Sequence, residues 1–263
     1  MKSRALVIYA LAYLAFLYLP VLVLPVFSFN NSEFIAFPLT SFTTRWYVGL
    51  AADTAMLHAL GNSLKVGAAT ALLSTLLGLL AAKAVTRYRL RGTHAALGFI
   101  SLPLFIPDIV LGISLLMLLG ACDLPLSLAA VATGHMLVCV PFALAVLIAR
   151  FEGFDPSLEE ASADLGEGGW MTFWRVTFPL MLPGITASLL LTFITSFDEF
   201  LVAYFLSGTE ATLPVYIWGQ LRFPERLPVV LALGAIILSA SVILVVLAEY
   251  VRNLGVKEPV VGA

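Results

Sequence analysis

Residues 126–148 read LSLAAVATGHMLVCVPFALAVLI, a stretch without a single Asp, Glu, Lys or Arg. About 20 predominantly apolar residues are enough for an α-helix to cross the hydrocarbon core of a bilayer. The whole chain has the same character, with 61% hydrophobic and 11% charged residues, against roughly a quarter charged in an ordinary soluble domain. A soluble domain of this size would have too little polar surface to cover so much apolar material. The composition therefore indicates a membrane protein.

Five further apolar stretches lie on either side of the first. The six predicted spans cover approximately residues 6–27, 62–85, 95–119, 126–148, 180–206 and 227–250. The run after Lys2 and Arg4 is longer than the roughly 7–15 apolar residues of a secretory signal, and no clear cleavage site follows it. We therefore predict an all-α integral membrane protein with about six transmembrane helices, in which residues 1–263 form one transmembrane domain.

The positions of Lys and Arg predict the orientation, because cytoplasmic loops are enriched in these residues. Of the 14 Lys and Arg residues, four fall on the outer side if the amino terminus is inside: Arg45, Lys65, Arg222 and Arg226. The remaining ten form the cytoplasmic set: Lys2, Arg4, Lys83, Arg87, Arg89, Arg91, Arg150, Arg175, Arg252 and Lys257. Both termini are therefore expected in the cytoplasm.

Several function classes find no support in the sequence. A net charge of −2 offers no basic stripe for nucleic acid. The three histidines are scattered and the two cysteines form no C-x-x-C, so no metal site is expected. The chain has no G-x-x-x-x-G-K-[ST] phosphate loop and no convergent catalytic set, so it is not expected to be an ATPase or another enzyme. Nor does it show internal repeats or matched broken helices, which would favour an ion-driven secondary transporter.

The cytoplasmic loop at about 150–179 predicts a short helical elbow. Asp155 followed by Pro156 is a favourable helix start, and Ser157 with Glu160 offers an alternative start of the capping-box kind. Apolar residues then recur at helical spacing until Gly166, which is a natural stop.

A second amphipathic piece of the same loop carries Trp170, Phe173 and Trp174 on one face. The apolar face of the elbow needs a partner. It suits an interfacial helix in the headgroup layer or a helix that docks into a groove on another protein, and the pattern alone leaves both open.

Three acidic residues lie well inside predicted spans, where ionisable groups are costly and usually face a cavity or a partner: Asp108, Asp198 and Glu199. Counted along straight helices at about 1.5 Å per residue, Asp108 and Asp198 reach a similar depth, about 20 and 22 Å from the inner end. Two carboxylates at one level could hold the ammonium groups of a cationic solute. Alternatively, Asp108 satisfies backbone groups freed by Pro107. Asp198 and Glu199 are about 100° apart on a helix, so one of them is expected to face the path.

Aromatic residues near these acids add a second candidate feature. Phe197, Tyr216 and Trp218 could offer cation–π faces to a solute. Aromatic residues near a membrane surface also form interfacial belts, so this alternative stays open.

The segments Glu160-Ala161-Ser162, Gly166 and Val176-Thr177-Phe178-Pro179 together resemble the EAA motif of ABC importer permeases. That motif has Glu-Ala-Ala, a glycine four positions on, and an Ile-x-Leu-Pro ending. The chain departs from it at Ser162, Val176 and Phe178, which are mild changes that keep size or apolarity. Further segments resemble the C-type permeases of spermidine/putrescine importers: Ser28-Phe29-Asn30, Arg45-Trp46-Tyr47, Asn62-Ser63-Leu64, Pro107-Asp108-Ile109-Val110, Ser196-Phe197-Asp198-Glu199-Phe200 and Leu213-Pro214.

The resemblance implies a type I ABC importer permease fold in the bacterial inner membrane, moving polyamines inward by alternating access. It assigns coupling to the ATPase to Glu160, Ala161, Ser162, Asp164, Leu165 and Gly166. The candidate substrate pathway comprises Asp108, Phe197, Asp198, Glu199 and Trp218.

The same resemblance implies partners. They are a sister permease, two ATP-binding subunits that hold ATP and Mg, a periplasmic solute-binding protein and the lipid bilayer, with no cofactor in this chain. The scaffold also serves other solutes, so an opine, a phosphonate or a cationic amino-acid derivative stays an alternative substrate.

Overall fold

The described structure is helical throughout its regular elements. A computed structural model describes residues 2–32, 37–88 and 91–254, with side chains at 6–32, 37–88 and 91–243. The α-helices are α1 (Lys2–Ser28), α2 (Arg45–Ala52), α3 (Thr54–Arg87), α4 (Thr93–Ser101), α5 (Asp108–Ala121), α6 (Leu128–Glu152), α7 (Ser157–Asp164), α8 (Gly169–Thr172), α9 (Phe178–Asp198), α10 (Leu201–Leu206), α11 (Leu213–Gln220) and α12 (Leu227–Leu254). Two 3₁₀ turns lie at Leu102–Phe105 and Pro224–Arg226, and a π turn lies at Phe173–Thr177.

The chain forms two compact units. The first consists of Met1–Met56 with Ile217–Ala263, and in it α12 packs against both α1 and α2. The loop after α1 is held by the buried Asn30, whose Oδ1 accepts hydrogen bonds from the Thr40 backbone N–H and hydroxyl at 3.1 and 3.2 Å. The Trp46 indole donates to the Asn30 carbonyl at 2.9 Å. Polar and aromatic side chains thus hold the described residues of this loop together.

Helix α6 lies at the centre of the second unit, Leu57–Tyr216. It packs against α9 and α10, and the hydroxyl of Ser127 caps its first turn by accepting from the Ala130 N–H at 3.2 Å. Its side chains enter two buried apolar clusters, one around Val131 and the other around Leu147. Polar contacts also join the spans, such as the 2.9 Å hydrogen bond between the buried hydroxyls of Thr75 and Ser188.

Five helices are long and apolar enough to cross a membrane, or six if one bent pair counts as a single span. The five cover Leu6–Ser28, Thr54–Arg87, Leu128–Glu152, Gly169–Asp198 and Pro224–Ile243. The prediction of about six apolar spans in an all-α fold is therefore confirmed. The orientation stays a prediction: Arg89 and Lys257 lie outside the described residues, as do the side chains of Lys2, Arg4 and Arg252.

The third predicted span, 95–119, is wrong as a single straight helix. Residues Thr93–Phe105 and Asp108–Ala121 form two segments that meet at an angle of 101°. Ile106 is extended, with φ −89° and ψ 128°, as steric contact with the following Pro107 favours. A depth counted from Ala95 along a continuous helix therefore does not give the position of Asp108.

The fifth predicted span, 180–206, also contains a break. Helix α9 ends at Asp198, Glu199 is extended with φ −70° and ψ 122°, and α10 begins at Leu201. The Glu199 carboxylate accepts hydrogen bonds from the backbone N–H groups of Val202 and Ala203 at 3.0 and 3.1 Å, which satisfies two donors at the start of α10. Broken helices, which the sequence did not reveal, thus occur in two spans.

Candidate functional site

The elbow at about 150–179 begins as its sequence predicts. The Asp155 carboxylate accepts from the Ser157 backbone N–H at 2.9 Å, and Pro156 precedes α7 with a helical φ of −58°. This hydrogen bond holds the pKa of Asp155 below its usual value. The Asp155–Pro156 start is therefore confirmed over the alternative capping box at Ser157.

The elbow also ends as predicted, at Gly166. This glycine has a φ of +89°, in the left-handed region. Its N–H donates to the Ala163 carbonyl at 2.9 Å, and the Glu167 N–H donates to the Ser162 carbonyl at 3.2 Å. This pair of bonds is a Schellman motif, which needs a left-handed residue after the last helical turn.

We expect Gly166→Ala to destabilise the elbow by about 1–2 kcal/mol, since a side chain at this φ is strained. An added Cβ at position 166 would meet nothing within 4 Å, so the effect comes from backbone conformation and not from a clash. The measurement is the rate of protease cleavage in the elbow. Gly168→Ala is the matched control, because Gly168 has a φ of −72° and equally open space. Equal cleavage of the two variants would contradict the prediction.

Most of the residues assigned to coupling are exposed. They are Glu160, Ala161, Asp164, Leu165 and Gly166, and Leu165 is 86% exposed. Ser162 differs, because it is buried and its hydroxyl lies 3.0 Å from that of Thr172 on α8. The serine that replaces the second alanine of the motif therefore joins the two helical pieces of the elbow. The coupling assignment itself stays a prediction.

The aromatic residues of the second helical piece contact one another. The ring centroids of Trp170 and Trp174 are 5.7 Å apart, and those of Phe173 and Trp174 are 5.5 Å apart. Trp170 and Trp174 are exposed, and Phe178 extends the cluster, with its ring 4.9 Å from that of Trp174. The elbow thus carries an exposed apolar surface made largely of indole rings.

A second candidate site, which we call the acidic cleft, lies where the two helix breaks of the second unit come together. It has a volume of about 640 Å³ and is lined by Pro103, Leu104, Asp108, Val138, Phe142, Thr195, Asp198, Glu199, Phe200 and Leu201. The carboxylates of Asp108 and Asp198 belong to exposed residues, on the first turn of α5 and the last residue of α9. The structure therefore brings the three predicted acids to one cleft, although not by the predicted route along straight helices.

Glu199 differs from the other two acids because it is tied to the protein. Its Oε2 lies 2.9 Å from Nε2 of His135, and His135 Nδ1 lies 2.7 Å from the Ser196 hydroxyl. The side chains of His135 and Glu199 are only 1% and 13% exposed. Together with its bonds to the start of α10, this pair identifies Glu199 as a residue that fixes the helix break at the edge of the cleft.

The two aromatic pathway candidates, unlike the three acids, do not line the acidic cleft. Phe197 is absent from the lining, and its ring stacks on Phe193 at 5.8 Å. Trp218 is exposed on α11 and belongs to the first unit, so its part in a pathway stays a prediction. Two aromatic residues outside the predicted pathway set, Phe142 and Phe200, do line the cleft.

Sequence reasoning also assigned no role to His135, Ser196 and Glu159. The only signal for His135 is an ionisable residue within an apolar span, whose partner 64 residues away cannot be read from the sequence. Glu159 precedes the motif glutamate, and the structure pairs it with Arg87 of α3 at 2.5 Å.

Comparisons with known proteins address the chain as a whole. A family model described as "Binding-protein-dependent transport system inner membrane component" matches residues 74–253. The putrescine transport system permease protein PotI of Escherichia coli (strain K12) is 33% identical over 98% of this chain and 94% of its own length. The spermidine/putrescine transport system permease protein PotC of the same strain is 33% identical over 92% of this chain and 91% of its own length.

Another PotC, from Haemophilus influenzae, is 32% identical over 86% of this chain and 88% of its own. Among solved structures, a chain of a bacterial ABC transporter involved in the import of the acidic polysaccharide alginate has a TM-score of 0.75. It is 16% identical and covers 97% of this chain and 96% of its own, a likeness that concerns the fold. The resemblance to spermidine/putrescine importer permeases and the importer permease fold are therefore confirmed.

Proposed function

Because this chain belongs to the family of binding-protein-dependent transport system inner membrane components, we propose that it is the polyamine-conducting permease subunit of an ATP-driven importer. The relatives named for putrescine and for spermidine/putrescine transport align with nearly the whole chain. The names of these relatives indicate polyamines as the solute class. The carboxylates of the acidic cleft support that class.

The observation that carries the solute class is the pair of exposed carboxylates, Asp108 and Asp198, at one cleft between broken spans. Polyamines are flexible chains that carry two or more ammonium groups at neutral pH. A carboxylate with few protein partners gains a charge-assisted hydrogen bond from each ammonium group that it meets. The apolar walls, such as Val138 and Phe142, suit the methylene segments between the ammonium groups.

ATP is proposed to act through partner subunits. The sequence has no phosphate loop of its own. The exposed face of α7 and the exposed rings of Trp170 and Trp174 provide a surface for docking. Two ATP-binding subunits would hold ATP and Mg, and their closure would move the elbow and reorient the spans by alternating access. A sister permease and a periplasmic solute-binding protein would complete an assembly in the bacterial inner membrane, with both termini of this chain in the cytoplasm.

The test is polyamine-dependent activity of the reconstituted complex with its solute-binding protein. We expect putrescine or spermidine to stimulate ATP hydrolysis, and Asp198→Asn to raise the concentration needed for half-maximal uptake about 10-fold. That factor corresponds to about 1.4 kcal/mol, close to the lower limit for a hydrogen bond to a charged group. Asp108→Asn should act in the same direction.

Asp123→Asn is the matched control, because Asp123 is an exposed acid in the turn after α5 and does not line the cleft. A weakening by Asp123→Asn equal to that by Asp198→Asn would contradict a role for the cleft. If no polyamine stimulates hydrolysis, the solute class is wrong, and the same assay with opines, phosphonates and cationic amino-acid derivatives would identify the alternative. Uptake driven by an ion gradient in the absence of ATP would contradict the importer itself.

A further inference from the structure

One carboxylate joins the elbow to two membrane spans. Glu159, on the first turn of α7, places Oε2 2.5 Å from Nε of Arg87, in the last turn of α3. Its other oxygen, Oε1, accepts a hydrogen bond from the hydroxyl of Thr177, in the π turn that leads into α9. A displacement of α7 therefore acts directly on the cytoplasmic ends of both spans.

Arg87 extends the same connection to α6. Its Nη2 donates to the carbonyl of Phe151 at 3.3 Å, and its guanidinium lies over the rings of Phe151 and Phe154 at 5.3 and 4.6 Å. Phe151 belongs to the last turn of α6 and is fully buried. The ion pair between Glu159 and Arg87 therefore connects the elbow to α3, α6 and α9.

The pair is largely removed from solvent. The side chains of Arg87 and Glu159 are 13% and 16% exposed, and Thr177 is fully buried. Exposed ion pairs are weak because water screens the charges and the side chains stay mobile. A shielded pair with further hydrogen bonds is much harder to separate, since each charge would lose its partner in a poorly solvated place. The connection is therefore suited to transmit force.

Glu160 points elsewhere. Adjacent residues of a helix lie about 100° apart around its axis, so the inward Glu159 leaves Glu160 on a different face, where it is exposed. Leu165, which is also exposed, offers an apolar contact on the outside of the elbow. The two glutamates of α7 therefore differ: Glu159 is bonded to the spans, whereas Glu160 is exposed and takes no part in that ion pair.

We infer that Glu159, Arg87 and Thr177 form a transmission joint, whose positioning residues pass the movement of the elbow to α3, α6 and α9 and so to the acidic cleft. This inference rests on the proposed ATP-driven import. Glu159 acts through Arg87 and Thr177 and touches no solute. A purely structural role predicts a different result. Loss of the joint would then destabilise the complex, but the cleft would still respond to nucleotide.

The experiment measures that response without relying on any solute. In the complete complex carrying Cys122→Ser, the remaining Cys139 of this chain is buried. Thr195→Cys then introduces one thiol at the cleft lining, where a membrane-impermeant maleimide can react. Labelling of this chain is followed by gel shift, with and without ATP and vanadate. We expect nucleotide to change the labelling rate at least 5-fold when Glu159 is intact.

Three variants then test the joint. Glu159→Gln should reduce the nucleotide-dependent change to less than 2-fold while the complex still co-purifies. The exchange of charges, Glu159→Arg with Arg87→Glu, should restore at least half of the change. The matched control is Glu167→Gln with Arg175→Gln, which removes an ion pair in the same elbow whose side chains are 32% and 63% exposed. This control should leave the labelling change intact.

Several outcomes overturn the joint. They are an unchanged nucleotide response in Glu159→Gln, an equal loss in the control, and loss of assembly in both Glu159→Gln and the charge exchange. Absence of a nucleotide response in the parent complex would overturn both the joint and ATP-driven transport. Failure of polyamines to stimulate hydrolysis, with the labelling response present, would contradict only the proposed solute.

Discussion

Glu199→Ala is expected to lower the free energy of unfolding of this permease by about 3 kcal/mol, the upper end of the range for leaving buried hydrogen-bonding groups without their partner. The substitution leaves His135 Nε2, now 2.9 Å from the Glu199 carboxylate, without its acidic partner. It also removes the acceptor of the Val202 and Ala203 N–H groups at the start of α10. Glu199→Gln should cost less, because its amide oxygen can still accept a backbone hydrogen bond.

Thermal exposure of the buried Cys139 measures this loss. In the Cys122→Ser background Cys139 is the remaining thiol of the chain, so alkylation followed by gel shift reports its unfolding within the complex. We expect the midpoint to fall by roughly 6–12 °C in Glu199→Ala, from about 2–4 °C per kcal/mol for a chain of this size. Glu152→Ala, at the exposed end of α6, is the control and should change little. A midpoint equal to that of the parent would show that Glu199 does not hold the break.

Gly78→Ala should have a large effect of a different kind, because α3 and α6 approach each other closely at this glycine. An added Cβ would lie 2.8 Å from the Ala143 Cβ and 3.1 Å from both the Ala143 carbonyl carbon and the Leu144 backbone nitrogen. Two of these three atoms are backbone, so the helices must separate. Overpacking of a close-packed interior costs about 1–3 kcal/mol, and the backbone contact places this substitution near 2 kcal/mol.

Gly61→Ala on the same helix isolates the steric part of that effect. Its Cβ would meet nothing within 4 Å, so this variant should be neutral or slightly stabilising, since alanine is the better helix former. We expect a fall of about 5 °C for Gly78→Ala in the Cys139 assay and no fall for Gly61→Ala. Equal midpoints for the two variants would exclude close helix packing as the reason for Gly78.

The elbow was predictable because its signals are local. Asp155, Pro156 and Gly166 act on backbone groups within a few residues, and the structure places all three as the sequence indicates. The apolar spans were predictable for a similar reason, since their length and lack of charge are properties of a continuous segment.

The breaks were not predictable, because proline is an ambiguous signal within a membrane span. Pro141 and Pro183 lie inside continuous helices α6 and α9, whereas Pro107 stands at a bend of 101°. The break at Glu199 has neither proline nor glycine and depends on a partner in another helix, His135. Tertiary contacts of this kind decide whether a span continues, and a single sequence does not show them.

The two acids of the cleft stand at opposite ends of their helices. Asp108 is at the amino-terminal end of α5, where the helix dipole stabilises a negative charge, whereas Asp198 is at the carboxyl-terminal end of α9, where the dipole opposes it. A passing cation therefore relieves an electrostatic repulsion at Asp198 but competes with an existing stabilisation at Asp108. Two residues of the same type would thus hold an ammonium group with unequal strength, and a dication that spans both would be bound more firmly at one end than at the other.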